Sequence, residues 1–230
     1  MFQWTHLQLE QLTSCRTQNP NNKRLDSLPS GLKKPYDEIY ARIKEQDDLA
    51  QEFVDRAVGW VMCAAKPLTS NEILSAIRID IREGEFQVSG EINENDLLFF
   101  CQHLLVIDQQ GIWRMSHLSV MEYFEQNYWT LQKAHLHVGN TCLQMPIEMF
   151  GPNDGLYESD DEIESSELTV DETPPRALGV HVDFQKYVQL HWFVHVRAQN
   201  ESETSQISSM TALLVKFLGT PHPQKGQRLL

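Results

Sequence analysis

The feature that most constrains the fold of this 230-residue chain lies between residues 47 and 116, where three helical hydrophobic patterns end in a β-hairpin signal. The first pattern, over 47–65, repeats every three or four residues and predicts a helix with one buried face. Its predicted inward positions are Leu49, Phe53, Val54, Ala57, Trp60 and Val61. The second helix follows Pro67, and Thr69 with Glu72 has the T-x-x-E spacing of a capping box at its start. Its predicted core positions are Ile73, Leu74 and Ile77, with Ile81 as a further candidate, and a polar loop is predicted between this helix and the next.

The third helical pattern covers 93–106 and leads into a hairpin. Its apolar stripe consists of Leu97, Phe100, Cys101 and Leu104. Two short apolar runs then flank Gln109-Gln110-Gly111, which is typical of a β-hairpin. The order helix, capped helix, helix, hairpin is that of a winged helix, a helix-turn-helix variant whose hairpin forms the wing. The sequence therefore predicts a mainly α protein with a central winged-helix domain, a small β-hairpin wing and flanking helices.

The segment RMSHLSVMEYFEQNYW, residues 114–129, places Ser116, His117 and Ser119 within four residues and raises the question of a nucleophile with a histidine base. Neighbouring positions in a strand point to opposite sides, which argues against a Ser116–His117 pair. Ser119 and Glu122 have the S-x-x-E spacing of a second capping box. We therefore predict that the wing strand ends near Ser116 and that a helix begins at Ser119. Its predicted core face consists of Val120, Tyr123, Phe124 and Tyr128.

Outside this centre, further helical patterns start near residue 2, at Tyr36, at 131 and at 184, and a last one starts near 210. We divide the chain into a helix and linker at 1–35, the winged-helix domain at 36–130, a C-terminal helical segment at 131–150 and 181–220, and an acidic disordered loop at 151–180. The loop prediction depends on its charge, because residues 158–172 carry −8 of the net −13. Such low-hydrophobicity, highly charged segments do not bury enough apolar surface to order themselves.

The charge and the apolar runs also limit the class of partner. An acidic surface lacks the counterion-release affinity that phosphate contacts supply, so nucleic acid is an unlikely partner, and an anionic membrane surface is disfavoured for the same reason. The longest apolar run, 57–65, is well short of the roughly 18 residues of a membrane span. No secretory signal opens the chain, and the four cysteines are interpreted as reduced thiols, so we predict a cytoplasmic protein.

The sequence lacks the motifs that carry catalysis. There is no G-x-x-x-x-G-K-[ST] loop for phosphates and no G-x-S-x-G nucleophile elbow. The metal candidates are "HLHVGNTC", with His135, His137 and Cys142, and "HWFVH", with His191 and His195. Neither has the paired-ligand spacing of a structural zinc site. We therefore predict no catalytic residue, no metal site and no cofactor, and a chain that is not an enzyme.

Several segments together resemble a known family. "FQWTHLQLEQL", "LDSLPSGLKKPYDEIYARI", "GWVMCAAKPLTSNEILSAI" and "MSHLSVMEYF" occur in this order. They resemble the region after the nucleotide-binding core of fungal NACHT-type (STAND) signalling ATPases, which includes the GPI inositol-deacylase-type winged-helix domain. "HLHVGNTCLQM" and "FQKYVQLHWFVHV" are similar to the helices that follow it, often before ankyrin repeats. On this resemblance, residues 1–35 are the end of a NACHT-type module, and the chain begins inside a larger architecture.

The resemblance implies a regulatory or scaffolding role without catalysis. In such ATPases the winged helix packs against the nucleotide-binding module and helps to hold the off state. The expected partner is therefore a protein, either a NACHT nucleotide-binding module or ankyrin repeats, in cis or in trans. His117 resembles by position a histidine that touches the β-phosphate of the bound nucleotide, a role it would have only in an intact parent architecture; otherwise His117 is a packed or hydrogen-bonded histidine. The alternative function is that of a free-standing winged-helix nucleic-acid-binding protein.

Overall fold

The structure is a computed structural model that describes residues 33–82, 85–151, 177–199 and 204–219. The predicted helix near residue 2 and nearly all of the predicted acidic loop lie outside these residues. The described helices are α1 (Lys33–Lys44), α2 (Asp48–Cys63), α3 (Ser70–Arg78), α4 (Glu94–Phe100), α5 (Leu118–Asn127), α6 (Leu131–Phe150), α7 (Val182–Arg197) and α8 (Thr204–Gly219). The strands are β1 (Leu68–Thr69), β2 (Ile79–Arg82), β3 (Glu85–Val88), β4 (Leu105–Ile107) and β5 (Ile112–Met115).

The predicted winged-helix architecture is confirmed. Helices α2, α3 and α4 are followed by the antiparallel wing strands β4 and β5, which pair from Leu105 opposite Met115 to Ile107 opposite Trp113. Strand β1, between α2 and α3, pairs with β5 and completes a three-stranded sheet in the order β1-β5-β4. The predicted capping box is also present: the Glu72 carboxylate accepts hydrogen bonds from the Thr69 N–H at 2.9 Å and the Thr69 hydroxyl at 3.0 Å.

Residues 79–82 and 85–88 pair as the antiparallel strands β2 and β3, where the sequence predicts a polar loop. Ile79 of β2 pairs with Val88 of β3, and Ile81 pairs with Phe86. These four apolar side chains pack on the core, and the alternate positions are charged or polar. The segment thus has the period of two that a half-buried strand requires.

Two details of the helices were predicted wrongly. Helix α4 ends at Phe100 and not at 106, because Gln102 and His103 have positive φ values of 47° and 65°, a left-handed conformation that ends a helix. In α2 the predicted inward residue Leu49 is 39 % exposed, and Ala50 is the residue that faces the core. The inward face is therefore shifted by one position at the start of the helix.

The C-terminal helices share the core of the winged helix. Trp60 of α2 is fully buried and packs edge-on against Phe184 of α7 at 5.5 Å and against Tyr187 at 5.7 Å between ring centroids. Val138 of α6 joins the same cluster. A smaller cluster of Leu143, Ile147, Met210 and Phe217 connects α6 to α8. Helices α6 and α7 therefore cover the side of the domain formed by α2 and α3.

Among the described helices, none is both long enough and apolar enough to cross a membrane.

Candidate functional site

The junction between the wing and α5 contains the residue that the sequence analysis singled out, His117. Strand β5 ends at Met115, and the Ser116 N–H donates to the Leu104 carbonyl at 3.0 Å. His117 is the N-cap of α5, and its Nδ1 accepts a hydrogen bond from the Ser119 N–H at 3.2 Å. The predicted capping box from Ser119 to Glu122 is therefore wrong. The helix begins at Leu118, which leaves Ser119 inside the first turn with its hydroxyl free for other partners.

The Ser119 hydroxyl connects His117 to α1. Its Oγ lies 2.8 Å from His117 Nδ1 and 2.7 Å from the hydroxyl of Tyr36, a residue 83 positions earlier. Because His117 Nδ1 accepts a backbone N–H, it carries no proton, so the Ser119 hydroxyl donates to it. The Tyr36 hydroxyl then donates to Ser119, and burial raises the pKa of Tyr36, which keeps the phenol protonated.

This arrangement suits structural support better than catalysis. Ser119 is only 8 % exposed, and both of its hydrogen-bonding partners hold it within the junction between α1 and α5. His117 itself is exposed, and its inferred tautomer leaves an N–H on Nε2. The junction therefore presents one imidazole N–H donor at the N-terminus of a helix, next to Leu118, which is 66 % exposed.

The recognition helix α4 and the wing form a second surface with a distinct chemistry. The chain has no Lys or Arg between Arg82 and Arg114. The Arg114 guanidinium pairs with the Asp108 carboxylate within the wing. On α4 the side chains of Glu94, Asn95 and Asp96 are exposed, and Phe99 is 67 % exposed. This recognition face, defined as the exposed side of residues 94–99, thus combines acidic groups with a large apolar side chain.

A buried arginine, Arg56, connects α2 to α3 and β2. The Arg56 guanidinium donates to the Ile77 carbonyl at 2.7 Å and pairs with Glu52 at 2.9 Å and Asp80 at 3.0 Å. Arg56 is buried within the apolar face of α2. The sequence indicates this arrangement, because Arg56 occupies a core-facing position in the otherwise apolar stripe of α2.

In the structure, the candidate metal ligands of the C-terminal segment are grouped differently from the two sequence motifs. His137 packs on Trp129, and burial, together with the nearby Arg56 charge, lowers its pKa to about 4. His191 packs on Tyr187. His135 and His195, which the sequence placed in different candidate groups, meet at 3.1 Å between their Nδ1 atoms.

Cys63, which lies outside both candidate motifs, is beside these two histidines. Burial raises the pKa of the Cys63 thiol to about 12. Burial, together with His135 and His191, lowers the pKa of His195 to about 4. At neutral pH the cluster therefore consists of a thiol and two neutral imidazoles.

Comparison with known proteins supports the central part of this description. Residues 44–134 match the family model described as GPI inositol-deacylase, winged helix domain. The matched segment runs from the end of α1 to the start of α6, so it contains both sheets and helices α2 to α5. No solved structure matches the chain.

One curated protein is also similar to this chain. The chain is 31 % identical over 150 residues to the "Azaphilone pigments biosynthesis cluster protein L" of Monascus ruber. The alignment covers 58 % of this chain and 30 % of that protein, so the chain spans about a third of the length of the relative it matches.

Proposed function

We propose that this chain is a non-catalytic interaction module that acts as a regulatory or scaffolding part of a NACHT-type signalling protein. Its winged helix would bind a neighbouring module, in cis or in trans, through the recognition face. The match of residues 44–134 to a winged-helix domain supports the domain-level role. The observation that carries the proposal is the chemistry of the recognition face, an exposed phenylalanine among acidic side chains.

The recognition face has the composition of a protein-binding surface. Phe99 offers a large rigid side chain, and aromatic residues at the centre of an interface contribute disproportionately to its affinity. Glu94 and Asp96 surround it with negative charge, which complements a basic partner surface and repels phosphates. Because no Lys or Arg occurs between Arg82 and Arg114, the recognition helix lacks the cations that nucleic-acid backbones require. In the wing, the Arg114 guanidinium is already paired with the Asp108 carboxylate.

Exposed apolar residues on α7 and α8 form another possible binding surface, separate from the recognition face. Helices α7 and α8 expose the apolar residues Leu190, Phe193, Val215 and Leu218. Exposed apolar residues of this size on neighbouring helices are typical of surfaces that another protein module covers. We infer that ankyrin repeats, or another helical module, would cover this face.

His117 is proposed to contact the nucleotide of a neighbouring NACHT module. An exposed imidazole N–H at the N-terminus of α5 is able to donate a hydrogen bond to a phosphate oxygen, and the helix N-terminus favours the negative charge. The nucleotide itself would belong to the other module. On this proposal, His117→Ala would speed release of a fluorescent ADP analogue from a complex of this chain with that module, and would leave complex formation intact.

Binding to a purified nucleotide-binding module of a fungal NACHT-type protein tests the proposal, with biolayer interferometry as the readout. Phe99→Ala is expected to weaken binding at least about tenfold, in line with the loss of one central aromatic contact. Val182→Ala is the matched control, since it removes an exposed apolar side chain from a different helix and lies outside both proposed surfaces. Wild-type affinity in the Phe99 variant would contradict the assignment of the interface.

The alternative function, nucleic-acid binding, is tested with the same purified chain and its Phe99→Ala variant. A mobility-shift assay with duplex DNA at low salt is expected to show no complex. Salt-dependent duplex binding that Phe99→Ala weakens would replace the proposal with a DNA-binding function, because the same recognition face would then contact the duplex.

A further inference from the structure

Three helices bring one cysteine and two histidines together where the winged helix meets the C-terminal helices. Cys63 is the last residue of α2, His135 lies in the second turn of α6, and His195 lies in the last turn of α7. The possible ligand atoms of these side chains all lie within 4.8 Å of one another. We call this group the Cys63–His135–His195 cluster. Thiolate sulfur and imidazole nitrogen are the ligands that zinc prefers in proteins.

The spacing of the two imidazoles fits a single metal ion. Two nitrogens, each about 2.0–2.1 Å from a tetrahedral zinc ion, lie about 3.3 Å apart. The Nδ1 atoms of His135 and His195 are 3.1 Å apart. Both atoms can therefore reach one ion with a displacement of only a few tenths of an ångström.

Tyr187 supplies the outer hydrogen bond that a metal-bound histidine requires. Its hydroxyl oxygen accepts the Ala65 N–H at 2.9 Å and lies 2.9 Å from His195 Nε2. The roles in these contacts depend on the tautomer of His195: with its proton on Nδ1, Nε2 accepts from the Tyr187 hydroxyl and Nδ1 donates to His135 Nδ1. With the His195 proton on Nε2 instead, Nδ1 becomes free for a metal and Nε2–H donates to the Tyr187 oxygen. Such outer partners fix the ring orientation of histidine ligands.

We propose that Cys63, His135 and His195 bind one Zn²⁺ ion, with a water molecule as the fourth ligand on the half-exposed side of His135. Binding breaks the S–H bond of Cys63 and releases its proton to solvent. In the bound state each imidazole carries its proton on Nε2, and the zinc keeps its oxidation state. The ion cross-links α2 of the winged helix to α6 and α7, so it fixes the C-terminal helices on the domain. This site is independent of the recognition face and of the proposed function.

The test uses the full chain in a Cys15→Ser background, stripped of metal and titrated with Co²⁺ as a spectroscopic substitute for Zn²⁺. We expect one Co²⁺ per chain, intense tetrahedral d–d bands and a thiolate-to-metal charge-transfer band, all removed by one equivalent of Zn²⁺. His135→Gln is expected to weaken binding by more than about tenfold, and Tyr187→Phe by about tenfold, the lower end for loss of an outer hydrogen bond. Mg²⁺, which prefers oxygen ligands, is expected to leave the spectrum unchanged.

His191→Gln is the matched control, because it removes a histidine one turn before His195 on the same helix and lies outside the cluster. Its Co²⁺ binding should equal that of the parent. Cys63→Ser should abolish the charge-transfer band; if that buried variant does not fold, the half-exposed His135 decides the question. The proposal is overturned if no stoichiometric Co²⁺ binding occurs, if binding lacks the sulfur band, or if the His135 and His191 variants bind alike.

Discussion

Replacement of Ser119 by alanine tests the junction between the wing and α5 directly. The Ser119 hydroxyl is the hydrogen-bonding partner of the Tyr36 hydroxyl at 2.7 Å, and Tyr36 is almost completely buried. Ser119→Ala leaves that phenol without the partner that accepts its proton. His117 loses a donor as well, but its side chain is exposed and water can replace the hydroxyl. The cost therefore falls on Tyr36.

The size of the stability loss depends on whether one buried polar group is left without a partner or both partners are removed. A buried polar group that loses its partner costs about 1–3 kcal/mol, whereas removal of both partners is close to neutral. We expect Ser119→Ala to lower the free energy of unfolding by about 2 kcal/mol and Tyr36→Phe to lower it by about 1 kcal/mol. The double variant should cost no more than Tyr36→Phe alone, since no buried hydroxyl is then left without a partner.

Urea denaturation of the four proteins, followed by far-UV circular dichroism, gives the coupling energy between the two residues. Ser116→Ala is the matched control, because the Ser116 Oγ is buried and has no hydrogen-bonding partner among the described residues. Its loss should be neutral or slightly stabilising. The reasoning is refuted if the two single effects add in the double variant, or if the Ser116 and Ser119 variants lose equal stability.

Three further predictions concern the stability of the domain. Thr69→Ala removes one half of the capping box and is expected to cost about 1 kcal/mol in a urea titration. Arg56→Ala leaves the partly buried Asp80 without this cation and is expected to cost about 3 kcal/mol. Arg56→Met should cost less because its apolar chain fills the same space, and thermal melts would rank the two. Burial raises the pKa of Asp55, although Tyr40 donates to its carboxylate at 2.6 Å. The folded state therefore binds the proton of Asp55 more tightly than the unfolded state does. The contribution of protonated Asp55 to folding stability is full below the unfolded pKa of 3.8 and is lost as the pH rises through the folded pKa. Asp55→Asn should be more stable relative to wild type at pH 7 than at pH 4, and equal differences at the two pH values would contradict this.

Sequence patterns predicted the elements whose stability is local. Helices α2 and α3 follow from apolar periodicity, and the start of α3 follows from the Thr69–Glu72 spacing, because a capping box forms within one turn of chain. The pairing of β2 with β3 was also encoded, since the apolar residues of both strands alternate with polar ones. It was missed because the charged residues between them suggested a loop.

Other features depend on packing between distant segments and were therefore hidden. The left-handed residues Gln102 and His103 end α4 within a continuous apolar pattern that, taken alone, favours a longer helix. The Ser119 hydroxyl was assigned to a cap because its actual partner, Tyr36, lies far away in sequence. The Cys63–His135–His195 cluster takes one ligand from each of three helices, so no single segment shows a ligand spacing.

The shared core limits how this chain could act as a switch. If α7 moved away from α2, Trp60, Phe184 and Tyr187 would all become exposed, at roughly 1.5–3 kcal/mol for each large apolar side chain. The Ala65 N–H would also lose the Tyr187 hydroxyl that accepts it. To populate such a separated state, a ligand would have to bind it more tightly than the packed state by at least that free energy. Helices α2, α6 and α7 are therefore expected to move as one body. Regulation would then act through the faces that this body leaves exposed, the recognition face on α4 and the apolar surface of α7 and α8.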